Sequence, residues 1–330
     1  MKKQIIRASA LALFLLLTLN FSSCGTKEDD STVRIGYFPN IIHTQALLMK
    51  NQGTLEEKWN GVCNVAWTSF NAGPAEIEAI FAGEIDLGFI GPVPAINANI
   101  KSGGDVKIIA NATNAGAVLL VRNNSGISSI KQLAGKKIAV PQLGNTQHLC
   151  LLNLLTKHGL TAFHQGGDVT ILASSNADIV NLMDNESIDA AVVPEPWGTT
   201  IENLGNSKIL LDYDELFLEG NYPSALVIAS KDFLEEHPEL VEEFLAAHKD
   251  ATQFITENPE ETYEIVNTEI QNATGKSLSR DVMERAFSKI KASDALNTDA
   301  IMQFAKISKE EGFISDIPEE NDVFILEFGQ

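Results

Sequence analysis

The stretch Ile35-Gly36-Tyr37-Phe38-Pro39-Asn40-Ile41-Ile42-His43-Thr44-Gln45 opens on a short apolar run, passes through a proline-marked loop and ends at a helix start. The same order returns as Ile138-Ala139-Val140, a loop with Pro141, then Thr146-Gln147. Further on, Ala75-Glu76-Ile77, Glu84-Ile85-Asp86 and the apolar residues 87–90 are matched by Ala177-Asp178-Ile179, Ser187-Ile188-Asp189 and residues 190–193. Thr44 and Thr146 are 102 residues apart, Asp86 and Asp189 103. Each copy therefore reads strand, helix, strand, helix, strand, and each ends in a Pro-x-Pro, Pro92-Val93-Pro94 or Pro194-Glu195-Pro196. Several landmarks in one order at a nearly constant offset indicate a duplicated unit and two related α/β lobes.

Composition narrows the function. A chain of 330 residues with 44% hydrophobic content can bury one or two sizeable cores. The net charge of −20, with no basic stripe after Arg7, argues against nucleic acid, which calls for clustered Lys and Arg. Residues 1–23 read as a signal peptide: Lys2, Lys3 and Arg7 form a basic start, and the apolar run at 8–19 is short for a membrane span. The following Ser22-Ser23-Cys24 resembles the lipobox of bacterial lipoproteins, although Phe21 stands where Leu is usual. That resemblance implies lipidation of Cys24, with 24–32 a polar tether. Cys63 and Cys150 lie in apolar stretches and are expected to be buried free thiols.

Open α/β sheets bind ligands where strands end and helices begin. Both copies place their unusual residues there: Asn40, His43, Thr44, Gln45, Gly91 and Pro92 in the first, Asn145, Thr146, Gln147, His148, Glu195 and Trp197 in the second. Asn114 completes the candidate set. Helix N-termini at such a cleft offer unpaired N–H groups and partial positive charge, which suit an anion. The two Thr-Gln pairs are read as ligand contacts, and Asn71 and Asn176 as helix caps. None of these loops carries an Arg, so a singly charged or hydrogen-bonded ligand fits better than phosphate or a dicarboxylate. Glu195, held between prolines, is expected to select a donor group on the ligand, with Trp197 stacking over it.

Arg34-Ile35-Gly36-Tyr37, residues 79–88, Leu133-Ala134-Gly135-Lys136-Lys137-Ile138-Ala139 and Gly144-Asn145-Thr146 resemble the substrate-binding proteins of ABC importers for nitrate, aliphatic sulfonates and taurine. The resemblance implies a type II periplasmic-binding-protein fold with two Rossmann-like lobes, a hinge and a C-terminal helical segment. Lobe 1 would comprise 33–117 plus 223–330, and lobe 2 118–222. It further implies a monomer, lipid-anchored on the extracytoplasmic side of a bacterial membrane. Its partners are a small anionic or zwitterionic ligand and the permease subunits, with no cofactor. A pyrimidine ligand of the thiamine-precursor kind is the alternative, and an enzyme on the same fold a further one. Against catalysis, His148 and Cys150 are two apart and point away from each other on a helix, and His43, His148, His158 and His164 lack zinc spacing. The Glu-rich tail after Lys231, with Leu240, Phe244 and Leu245 on one face, is expected to pack on lobe 1.

Overall fold

The structure, a computed structural model, describes residues 32–326; the signal segment and Cys24 lie outside the described residues. The chain runs through strands β1 (Thr32–Tyr37), β2 (Asn64–Ser69), β3 (Leu87–Ile90) and β4 (Val106–Ala115), then β5 (Ala117–Arg122), β6 (Lys137–Val140), β7 (Thr170–Ala173), β8 (Ala190–Pro194) and β9 (Ser207–Leu211), and closes with β10 (Pro223–Ser230) and β11 (Ile290–Ala292). Two sheets result, ordered β11-β4-β10-β3-β1-β2 and β7-β6-β8-β5-β9. The chain changes sheets at Gly116, whose φ of 81° suits glycine, and returns when β10 inserts between β3 and β4. Helices α1 (Thr44–Gln52), α2 (Thr54–Lys58), α3 (Gly73–Phe81) and α4 (Pro92–Lys101) belong to the first half; α5 (Thr146–Lys157), α6 (Asn176–Asp184), α7 (Trp197–Asn203) and α8 (Tyr213–Leu216) belong to the second.

The duplication extends to strand register. Ile35 and Gly36 stand opposite Leu87 and Gly88 in the parallel β1–β3 pair, while Ile138 and Ala139 stand opposite Ala190 and Ala191 in β6–β8. Every one of these positions is displaced by 103 residues from its counterpart. The Ile-Asp motif acquires a reason here. Asp86 accepts a hydrogen bond from the Arg34 N–H at 2.8 Å, and Asp189 accepts one from the Lys137 N–H at 2.9 Å. In each lobe an acidic side chain thus fastens the start of one parallel strand to the start of its neighbour. A guanidinium backs each acid at about 3 Å, Arg34 on Asp86 and Arg122 on Asp189.

Both sheets are covered on both faces, which is why their central strands are continuously apolar. In β5, Ala117, Leu119 and Val121 enter one core and Val118 and Leu120 the other. Fully burying a side chain such as Leu119 stabilises the fold by about 1.5–3 kcal/mol. The tail adds α9 (Lys231–Glu236), α10 (Pro238–Glu257), α11 (Pro259–Thr274), α12 (Arg280–Phe287), α13 (Thr298–Glu310) and α14 (Glu320–Val323). Leu240 and Phe244 enter the first-lobe core with Leu245 at its margin, as the spacing indicates. Pro238 separates α9 from α10, because the residue before a proline disfavours helical geometry and His237 adopts φ −133°, ψ 49°. Cys63 and Cys150 are both free thiols. Cys150 is buried and pushed up to about 12 by desolvation, whereas Cys63 is only half-buried.

One position breaks the internal symmetry. Glu76, in the first turn of α3, is fully buried with neither carboxylate oxygen hydrogen-bonded, and at the 103-residue displacement shared by the strands and by the starts of α3 and α6 its lobe-2 counterpart is Ile179, not the Asp178 that the local sequence match pairs with it. Gly36 and Gly88 make room for it: a Cβ on either would lie 2.1 or 2.4 Å from Glu76 Oε1, and their counterparts are Ala139 and Ala191. Burial drives the Glu76 carboxyl well above the ordinary range, so the folded chain keeps a proton that the unfolded chain releases once pH exceeds the ordinary carboxylate value. This contribution to stability therefore falls as pH rises from about 4.5 toward the folded-state value. Melting curves of Glu76→Gln should show a stability advantage over wild type that grows between pH 4.5 and pH 8. A difference independent of pH would mean that Glu76 titrates alike in both states.

Candidate functional site

Four helices begin at the gap between the lobes. Ala72 and Gly73 at the start of α3, Gly91 before α4, Asn145 and Thr146 at the start of α5, and Asn176 at the start of α6 all line one narrow cleft with a cavity volume of about 20 Å3. The first N–H groups of a helix have no intrahelical acceptor, and their dipoles sum to a partial positive charge, so this arrangement favours a negative group. The cleft continues into an outer mouth of about 280 Å3, where Phe38, Asn40, Asn71 and Asn176 are joined by Phe70 and Trp197. Among the described residues, no charged side chain lines either part.

The candidates divide sharply. Asn40, Gly91, Asn145, Thr146 and Gln147 line the cleft. Asn40 and Asn145 are also caps, accepting from Ile42 N at 3.1 Å and His148 N at 2.8 Å. Thr146 Oγ1 is buried without a hydrogen-bond partner. Gly91 is required by close approach, since a Cβ there would sit 2.5 Å from Thr146 Oγ1 across the gap.

The other first-lobe candidates turn inward. His43 Nδ1 accepts from Phe38 N at 3.4 Å, its ring packs 4.3 Å from that of Phe38, and burial lowers its pKa to about 3. Thr44 donates to Ile41 O at 2.5 Å, closing the turn before α1. Gln45 donates to Ala112 O at 2.5 Å, tying α1 to β4. Pro92 is buried in the first turn of α4, where Pro94 reaches the cleft instead. Asn114 accepts from Asn111 Nδ2 at 3.2 Å and stays outside the lining. His148 accepts from Gly144 N at 3.0 Å and packs against Phe313, with burial lowering its pKa to about 4.

The expected roles of threonine and asparagine are reversed in part. Asn71 makes no cap; its amide donates to Pro141 O of the other lobe at 3.4 Å. Ser175, not Asn176, caps α6, which leaves the Asn176 Oδ1 buried and without a partner. Sequence reasoning also missed Ser224, which lines the cleft from β10. Only its position at the second crossover hinted at that.

Glu195 is corrected as well. It is fully buried outside the cleft and accepts from Thr199 N at 2.9 Å, Thr199 Oγ1 at 3.0 Å and Lys289 Nζ at 2.8 Å. Burial raises its pKa, while the Lys289 ammonium and the Thr199 donors pull it back down. Lys289 comes from the tail beside β11, and Arg285 of α12 pairs in the same way with Glu202 of α7. The Glu195 N–H donates to Gly116 O at 2.7 Å, directly at the sheet switch. The acid thus clamps the start of α7 onto the tail and the crossover, which sets Trp197 at the mouth. The Glu195–Pro196 peptide is cis.

This fold and site define a two-lobed periplasmic-binding-protein architecture, which the chain shares with the alkanesulfonate-binding protein SsuA of Xanthomonas axonopodis pv. citri bound to MOPS: the TM-score is 0.73 at 22% identity, over 90% of this chain and 99% of that one. Residues 26–270 match the NMT1-like family, and the chain belongs to it. A protein named as a binding protein in Brucella abortus (strain 2308) is 29% identical over 85% of this chain and 86% of its own. The taurine-binding periplasmic protein of Escherichia coli (strain K12) is 30% identical over 59% of each chain. A 4-amino-5-hydroxymethyl-2-methylpyrimidine phosphate synthase of Aspergillus parasiticus is 26% identical over 78% of this chain and 76% of its own.

Removing one partner of a buried ion pair leaves the other charge uncompensated, at a cost of about 3–5 kcal/mol, whereas removing both is far less costly. Lys289→Met should destabilise the chain by that amount in urea titrations, and adding Glu195→Gln should recover more than half of the loss. Equal losses in the single and double variants would mean that the pair is not coupled.

Proposed function

We propose that this chain is the solute-binding component of an ABC importer: it captures a small organic anion between its lobes and delivers it to membrane permease subunits. The observation that carries the reading is a cleft floored by four helix N-termini, free of charged side chains, with the Thr146 hydroxyl buried and unpartnered. Such a site supplies hydrogen-bond donors without a competing carboxylate. The sulfonate and taurine ligands in the names of its relatives and structural neighbours carry a group of that kind. The amine of a zwitterion meets no acid in this cleft, since Glu195 is held by Lys289. The lining residues are therefore placed to bind rather than to transform: they include no His, Cys, Asp, Glu or Lys.

The reading includes a lipid anchor at Cys24, an extracytoplasmic location and a monomeric state. Lobe 1 is taken as 33–117 plus 223–330 and lobe 2 as 118–222, a division supported by the sheet switch at Gly116 and the return through β10. The ligand contacts are assigned to Asn40, Gly91, Asn145, Thr146 and Gln147, with Asn71, Asn176 and Ser224 beside them.

The test is calorimetry with methanesulfonate. Thr146→Val should weaken binding by about 0.5–1.5 kcal/mol, the scale of one hydrogen bond, while leaving stability nearly intact. Thr44→Val should do the converse, lowering stability and sparing affinity, because its hydroxyl serves the Ile41 carbonyl. Affinity loss at Thr44 and none at Thr146 would overturn the assignment.

A further inference from the structure

The outer mouth differs in chemistry from the inner cleft. Phe38 and Phe70 flank it from the first lobe, Trp197 from the second, and the neutral side chains of Asn40, Asn71 and Asn176 join the two spaces. Two features bear on how Phe38 and Trp197 are held in place. Phe38, 7% exposed, packs on the His43 ring at 4.3 Å, that histidine accepts from the Phe38 N–H, and the Phe38 side chain lines both the cleft and its mouth. Trp197 is fixed by the buried Glu195–Lys289 pair two residues before it. An inner cleft suited to an acid group alone would not require such a mouth.

The geometry points to a bipartite ligand: a monoanionic acid group seated at the helix N-termini and a flat aromatic ring projecting outward between Phe38 and Phe70 on one side and Trp197 on the other, an arylsulfonate in chemical class. This rests on the anion-binding function proposed above and goes further by naming what the acid is attached to. Two observations support its two ends independently. The Thr146 hydroxyl is buried without a partner in the inner cleft, so a donor for the acid group is unspent there. Phe38 and Phe70 from one lobe and Trp197 from the other line one mouth, and flat rings pack on aromatic side chains in offset or edge-on geometry. Closure around a ring would then make the two lobes share one apolar contact, whereas a bare alkanesulfonate would leave the mouth to water.

Calorimetric titrations of the purified full chain with benzenesulfonate and with methanesulfonate test this. Benzenesulfonate is expected to bind at least tenfold tighter. Phe70→Leu, which keeps an apolar side chain on a partly exposed residue, should weaken benzenesulfonate at least fivefold and methanesulfonate less than twofold; Phe38→Leu gives the same readout from the backed ring. Comparable affinities for the two acids, or variants that weaken both equally, overturn the ring subsite and leave the anion site standing. Binding of neither acid, or of neutral 4-aminopyrimidine in their place, overturns the anion site and the inference with it.

Discussion

The starts of α3, α4, α5 and α6, gathered at one gap, are the constraint on which the rest of the molecule depends. A buried helix start is costly where its N–H groups lack acceptors, and here Pro74, Pro92 and Pro94, which carry no N–H, reduce that demand in α3 and α4. Asn145 satisfies one N–H and Ser175 another, but the start of α3 has no side-chain cap and α4 begins with the rigid pair Gly91-Pro92. The cleft is therefore polar without holding a charge. An anion placed in it meets oriented dipoles in a largely water-excluded space, where each is worth more than in bulk solvent.

That arrangement requires two lobes whose strand ends face each other, and the duplication supplies them. Each lobe builds the same registered parallel pair, fastened by Asp86 or Asp189, so the loops after β1, β3, β6 and β8 emerge at equivalent points. The crossover at Gly116 sets one half against the other. Glu195 then joins that crossover to the tail through Lys289. A carboxylate that would have competed with an anionic ligand is thereby removed from the cleft and placed in the framework that positions Trp197.

What the sequence disclosed and what it withheld follow from range. The strands, the α3–α6 starts and the repeat offset are written in local periodicity and turn residues, so the two-lobe fold was legible. Thr146 and Gln147 were legible as cleft residues because they open a helix at a strand end. Their counterparts Thr44 and Gln45 were not, because a 3-10 turn at Ile41–His43 precedes α1 and rotates them into the core, where Gln45 meets β4. Asn71 and Asn176 looked like caps, yet the neighbouring residues Ala72 and Ser175 take the cap positions. Glu195 was misread for a different reason. Its partner Lys289 lies 94 positions away in the tail, and no local pattern predicts a pair at that separation. The Glu76 site was hidden too: the local match pairs Glu76 with another acid, Asp178, and only the structural register sets Gly36, Gly88 and Glu76 against Ala139, Ala191 and Ile179.

The central claim is that the cleft recognises negative charge through backbone dipoles, with no cationic side chain. The most direct measurement compares calorimetric affinities for methanesulfonate and for dimethyl sulfone, its uncharged near-isostere. The account predicts one site per chain that binds the sulfonate and discriminates against the sulfone by at least about 1.5–3 kcal/mol, the scale of hydrogen bonds to a charged group. Equal affinities, or tighter binding of the sulfone, would contradict it.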